Sequence, residues 1–326
     1  MVVPDRERGA ALLTVLLLVA IVSILAATAL ERLRLSTRLA GNAAAIEQGR
    51  AYAHAAETLA LQRIGRLLGA SPDRVTLAGG WSDRPFGLPL PSGGTATARV
   101  TDGGGCFNLN GLVTRGPDGA FVADPAARTR FARLMRLTGV PAQVAEQVAS
   151  GASDWIDTDD QVQPQGAEDA AYLRGETPHR TAGTLMADPS ELRAVAGVTP
   201  TLYAGLRRWL CTLPVAEPAS LNINTLTPEQ APLVAMQFPD TLTVDAASQA
   251  LLRRPPQGYA DVSQFLNEFS ANGITPEGGS ALAVTSRWFA LRIDVTLGDT
   301  AVEERALVDA NRLPATLVSR QWGEVS

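Results

Sequence analysis

Arg8-Gly9-Ala10-Ala11-Leu12-Leu13-Thr14-Val15-Leu16-Leu17-Leu18-Val19-Ala20-Ile21-Val22-Ser23-Ile24-Leu25-Ala26-Ala27-Thr28-Ala29-Leu30 begins on a charge and then carries none. Residues 10–30 are 21 consecutive uncharged residues, mostly Ala, Leu, Val and Ile. At about 1.5 Å per residue such a run spans about 30 Å, the thickness of a bilayer core. Arg6 and Arg8, just before it, favour keeping the short leader cytoplasmic. A cleaved secretory signal has only about 7–15 apolar residues, followed by a small-x-small site. Here the run is longer, and its periodic character continues through Glu31-Arg32-Leu33-Arg34-Leu35 to Leu67-Leu68. No Pro interrupts residues 10–68. The pattern predicts one helix of about 55–60 residues, apolar in its first half and amphipathic in its second.

The rest of the chain narrows the chemistry. Its 326 residues suit roughly two domains. All 28 cations are Arg and none is Lys, which excludes a P-loop lysine and any Schiff-base lysine. Two His and two Cys are few for a zinc centre, and a net charge of −5 argues against general nucleic-acid binding. Thr95 to Thr101 reads as a strand, Asp102-Gly103-Gly104-Gly105 as a hairpin turn, and Cys106 to Asn110 as a second short strand. From Pro125 to Phe269 the period is helical. Helices are expected over Ala126–Leu137 and Pro141–Ile156, with later ones starting at Ser190, Thr199, Thr225 and Asp261. Alternation returns at Ser286–Val295, a turn follows over Leu297–Thr300, and further strands are expected over Val302–Asn311 and Ala315–Trp322. Strands need partners, so those at the two ends are expected to share one sheet around a helical insertion.

Arg8-Gly9-Ala10-Ala11-Leu12-Leu13 resembles a type IV prepilin leader. The resemblance implies that a prepilin peptidase cuts between Gly9 and Ala10, that the apolar helix is kept, and that Ala10 becomes a methylated N-terminus. Most pilins carry Glu at the fifth mature position, where this chain has Thr14. A large pilin-like chain without that Glu is similar to the minor pseudopilin K family of type II secretion (general secretion pathway protein K). The element order carries the resemblance over nearly the whole chain. So do Phe107-Asn108-Leu109-Asn110, Asp154-Trp155-Ile156-Asp157 with Gly166-Ala167-Glu168-Asp169, Glu191-Leu192 with Val195-x-Gly197-Val198, and Leu221-Asn222-Ile223-Asn224-Thr225.

The expected fold is α+β: a type IV pilin-like long N-terminal helix on a small antiparallel sheet, with a large all-α domain inserted between strands. Its parts are a leader (1–9), the transmembrane part of the helix (10–30), the first part of the α/β domain (31–115), the inserted helical domain (116–283) and the last strands (284–326). The resemblance implies a non-enzymatic minor pseudopilin at the tip of the pseudopilus, initiating or capping its assembly for export of folded proteins across the outer membrane. It also implies partners in the I and J minor pseudopilins and then other pseudopilins. The chain would be a single-pass inner-membrane protein with its C-terminal domain in the periplasm. The alternatives are a minor type IV pilus subunit and a competence-type DNA-binding pseudopilin. Glu191–Leu213 and Leu221–Phe238 each resemble helix-hairpin-helix units, but beside them stand only Arg207-Arg208 and Arg253-Arg254, with no basic stripe, so no nucleic acid is expected.

Six carboxylates lie between Asp154 and Asp169 with no cation among them, so the other residues sum to +1. Hard oxygen ligands at short spacing suit calcium. Asp157, Asp159, Gln161 and Glu168 match positions 1, 3, 5 and 12 of an EF-hand loop, but Val162 stands where Gly is required and Pro164 interrupts. The stretch reads as an irregular calcium loop with Asp157, Asp159, Asp160, Glu168 and Asp169 as candidate ligands, and the resemblance supports calcium there. A solvated acidic loop is the alternative. Asp154, at a helix end, is assigned to local capping or pairing. Cys106 and Cys211 would lie in an oxidising compartment, where they read as a disulfide or as two separate buried thiols.

Overall fold

The computed structural model describes residues 5–91, 93–175, 177–238, 241–270 and 281–323, with side chains from residue 10 onward. Helix α1 runs Asp5–Ala70, 66 residues without a break. Strands β1 (Phe86–Pro89) and β2 (Thr95–Asp102) follow. The intervening block holds β3 (Phe107–Asn108), β4 (Val113–Arg115), β5 (Phe121–Ala123), α2 (Pro125–Leu137), α3 (Ala142–Ile156) and α4 (Asp169–Tyr172). It continues through α5 (Pro200–Leu206), β6 (Leu210–Cys211), β7 (Leu221–Asn222), α6 (Ala231–Ala235), α7 (Val244–Leu252), α8 (Val262–Ser270) and β8 (Leu282–Ala283). The chain closes with β9 (Trp288–Leu297), β10 (Thr300–Asp309) and β11 (Thr316–Trp322).

One five-stranded antiparallel sheet, in the order β1-β2-β9-β10-β11, joins the two ends of the chain. Its central pairing runs from Thr95 opposite Thr296 to Asp102 opposite Phe289. The C-terminal half of α1 lies on one face. Ala53, Ala56, Ala60 and Ile64 recur every three or four residues, so they form one helix stripe. They are buried with Ala96, Ala98, Val100, Phe289, Leu291, Ile293 and Val295 of the sheet. Small residues on both sides allow close approach; a Cβ on Gly49 would sit 2.8 Å from Val302 Cγ2. The first half of α1 has no such partner among the described residues, and Leu12 to Leu39 leave their large apolar side chains exposed.

The larger core belongs to the inserted block, around Phe131, Leu134, Trp155, Phe238, Tyr259 and Phe265. Two Asn-x-Asn pairs organise it. Asn108 Oδ1 accepts from Asn110 N (3.2 Å) and Leu213 N (2.9 Å), while its amide donates to Val215 O and Glu217 O. Asn222 Oδ1 likewise accepts from Asn224 N (2.9 Å), and its amide donates to Val75 O and Ser286 Oγ. Each pair stands at a short parallel ladder, β3 with β6 and β7 with β8. These buried amides satisfy loop backbone that regular structure leaves unpaired.

Several sequence expectations are corrected. The three glycines after Asp102 do not turn a hairpin, because β3 pairs with β6 rather than with β2. Here the backbone passes tightly between sheet and insertion: a Cβ on Gly103 would lie 3.1 Å from Ala290 N, and one on Gly104 3.1 Å from Ser220 O. Ser190 is not a helix cap; Asp188 takes that role with Glu191 in a capping box. Thr225 does not start a helix; Thr227 does, while Thr225 Oγ1 donates to Asp102 Oδ2 at 2.6 Å. Leu221–Phe238 is not a helix-hairpin-helix unit, since it begins as a strand and Asn222 is held in the ladder. Strands β1, β4, β5, β6, β7 and β8 are too short to show a period, and the sequence pattern does not predict them.

Asp102 is the hinge between sheet and insertion. Its carboxylate accepts from Gly104 N, Thr225 Oγ1 and Ser286 Oγ, and burial holds its carboxyl above the ordinary value. Asp102→Ala removes the acceptor of Gly104 N and Ser286 Oγ and leaves Thr225 Oγ1 only Asn222 O. The expected loss is about 2–4 kcal/mol, read by denaturant unfolding of the full chain in detergent. A loss below about 0.5 kcal/mol would show that the network does not hold the two parts together.

Candidate functional site

The acidic stretch leaves the C-terminus of α3 and folds back on itself. Asp154 and Asp157 lie in and just after the last turn of α3, one helical turn apart, and Glu168 stands at the start of α4. All three are buried. Both oxygens of Asp157 and both of Glu168 are enclosed without a side-chain hydrogen-bond partner among the described residues. Asp154 accepts from Gln163 N at 3.2 Å, nine residues on, so it holds the loop closed rather than pairing locally as its position suggested. Gln165 adopts a left-handed φ of 67°, and at Gly166 a Cβ would fall on Asp154 Oδ2. The loop therefore presses its backbone onto the carboxylates where only glycine fits.

Burial raises the carboxyls of Asp154 to about 6, Asp157 to about 7 and Glu168 to about 7. Like charge adds to burial: Asp159, Asp154 and Glu168 act on Asp157, and Asp154, Asp160 and Asp159 act on Glu168. Asp159 and Asp160 are exposed on the outer rim. Asp169 is turned away from the cluster, its Oδ1 accepting from Thr181 N (2.9 Å) and Thr181 Oγ1 (3.0 Å) and its Oδ2 from Arg180 Nη1 (3.2 Å). The fold thus brings Asp157 and Glu168 together, keeps Asp159 and Asp160 within electrostatic reach and adds Asp154, which sequence reasoning left out. A residue one turn before Asp157 on the same helix face was the available signal. Buried, partnerless carboxylate oxygens are a donor set that suits a hard divalent cation, because burying such charge alone is costly.

Cys106 and Cys211 are bonded in the structure, with their Cα atoms 5.8 Å apart across 105 residues. The bond lies beside the β3–β6 ladder, at the entrance to the inserted block. Arg254, one of the cations considered for DNA contact, turns inward and donates to Ile223 O and Leu226 O, and Arg208 lies over the Trp209 ring. Thr14 lies on the exposed part of α1, where its hydroxyl donates to Ala11 O at 2.9 Å. Gly9 lies within α1, and Ala10 is exposed on it.

A long apolar helix laid on an antiparallel sheet, with a helical block between two strands of that sheet, defines a pilin-like subunit with an insertion. Family models for type II secretion system protein K match residues 105–215 and 221–285. Type II secretion system protein K of Pectobacterium carotovorum subsp. carotovorum is 34% identical, covering 98% of this chain and 97% of its own length. The Klebsiella pneumoniae protein of the same description is 33% identical, with the same coverage of both chains. The crystal structure of the GspK-GspI-GspJ complex from the enterotoxigenic Escherichia coli type 2 secretion system matches with a TM-score of 0.71 at 30% identity, covering 86% of this chain and 97% of that one. The chain belongs to the type II secretion system protein K family, and it is a minor pseudopilin with an apolar N-terminal helix.

The raised carboxyls set a pH dependence. Their folded values lie above the ordinary 3.8–4.5, so the stability they contribute is complete below that range and is lost as pH rises through 6 to 7. In chelator, the melting temperature of the full chain in detergent is expected to fall from pH 5 to pH 8. A cation needs the ionised oxygens, so stabilisation by added calcium should grow over the same interval. A chelated chain that melts higher at pH 8 than at pH 5 would contradict the buried cluster.

Proposed function

We propose that this minor pseudopilin sits at the tip of the type II secretion pseudopilus, where it initiates and caps assembly for export of folded proteins across the outer membrane. The observation that carries the reading is Thr14, whose hydroxyl is satisfied by Ala11 O inside its own helix. A carboxylate at that depth costs about 2.5–3.5 kcal/mol on insertion scales and needs a neighbour's N-terminus to offset it. A subunit with Thr there requires no subunit above. The inserted block agrees with this, since it adds bulk to one end of an otherwise slender helix-on-sheet unit.

The remaining parts of the reading follow. Prepilin peptidase cuts between Gly9 and Ala10, Ala10 is methylated, residues 10–30 anchor the chain in the inner membrane, and the folded part lies in the periplasm. That compartment's oxidising character is consistent with the Cys106–Cys211 bond. The partners are the I and J minor pseudopilins, by analogy with the related GspK-GspI-GspJ complex. Calcium occupies the acidic loop, held chiefly by Asp157 and Glu168, and supplies the positive charge that the buried oxygens lack. The protein works by assembly rather than by catalysis.

Two measurements test this. The full chain is expected to co-purify with the I and J pseudopilins from detergent extracts, and loss of either partner from the complex would count against the tip assignment. Thr14→Glu is expected to lower pseudopilus assembly, because it places a partnerless carboxylate in the bilayer. Unchanged assembly would mean that the missing carboxylate is incidental.

A further inference from the structure

We infer that His54, Glu57 and Glu304 form a binding site for a divalent transition metal of the zinc class, at the seam between the long helix and the sheet. His54 and Glu57 stand three residues apart on α1, so they share one helix face, and β10 brings Glu304 beneath them. One potential ligand atom from each lies within 4.8 Å of the other two. This is independent of the acidic loop, which belongs to the inserted block.

The arrangement of Arg320 on β11 singles out the open coordination positions. Its Nη2 and Nε donate to Glu57 Oε2 at 2.6 and 3.0 Å, and Nε also lies 3.3 Å from Glu304 Oε1. Each carboxylate thus spends one oxygen on the guanidinium. Glu304 is fully buried, and its Oε2 has no hydrogen-bond partner among the described residues. Two carboxylates against one guanidinium leave one negative charge uncompensated. Burying that charge is costly unless a cation or a proton joins it.

The imidazole decides between them. His54 is exposed at the mouth of the cluster, with its ring packed edge-on against Trp322 at 5.6 Å between centroids. It offers a nitrogen beside two carboxylate oxygens and an entry path from solvent. An N,O,O donor set suits zinc or cobalt, whereas calcium takes oxygen ligands alone. Arg320 then plays the part of a group that orients ligand carboxylates through their second oxygens. A metal here would cross-link α1 to β10 just after Gly49, the first buried position among the described side chains of the helix.

The test uses the full chain in detergent, freed of transition metals and kept in excess calcium so that the acidic loop does not compete. Cobalt(II) is titrated as a spectroscopic probe. The expected result is one equivalent bound, with a ligand-field absorption that zinc displaces and calcium does not. His54→Ala, a change at an exposed position, should keep the far-UV dichroism and weaken binding by about tenfold or more. Glu304→Gln should weaken it similarly. Absence of cobalt binding, or binding unchanged by His54→Ala, would overturn the assignment. So would a Glu304→Gln chain as stable as the original in a protein that takes up no metal, which would mark the cluster as a carboxyl pair sharing a proton.

Discussion

Everything in this molecule hangs on the pairing of β2 with β9. The two strands are joined edge to edge although the whole helical block lies between them in sequence. Closing so long a loop costs entropy, though the cost grows only slowly with length. It is offset where the chain leaves and re-enters the sheet. Asp102 ties the end of β2 to Thr225 of the insertion and to Ser286 at the threshold of β9. The Cys106–Cys211 bond and the two Asn-x-Asn clamps lie within a short distance of the same crossing. The insertion is therefore seated firmly on the pilin-like part rather than tethered to it.

Charge is placed on the same economy. The sequence outside one stretch is nearly neutral, and, Asp102 apart, the buried carboxylates among the described residues lie at two places with different donor chemistry. In the acidic loop, Asp154, Asp157 and Glu168 repel one another beneath backbone that passes over Asp154 at Gly166. At the helix–sheet seam, Glu57 and Glu304 share a single guanidinium beside an imidazole. In both, packing has brought together like charges that water would have kept apart. The raised carboxyl of Glu304, at about 7 through burial and then Glu57, has the same physical origin as those in the loop.

Much of the architecture was legible because it rests on local periodicity. The unbroken apolar run dictated α1, the alternation of residues 286–322 dictated the last three strands, and Thr199 and Asp261 marked helix starts that the structure keeps. Misreadings arose where a residue answers to a distant partner. Thr225 looked like a cap and instead serves Asp102, 123 positions earlier in the chain. The three glycines looked like a turn and are instead a passage between two packed bodies. Asp154 looked like a helix-end residue and is instead enclosed by a loop that returns over it.

The sequence by itself determined which segments are apolar, which alternate and where negative charge accumulates, since these follow from residue type and spacing of 2 or 3.6 along the chain. It therefore settled the long helix, the α+β class and the acidic loop as a region. Only the tertiary structure decided which carboxylates are buried and which remain in water. That choice depends on what the chain lays over them, and neither the loop over Asp154 nor Arg320 beside Glu57, 263 residues away, is a neighbour that spacing can reveal.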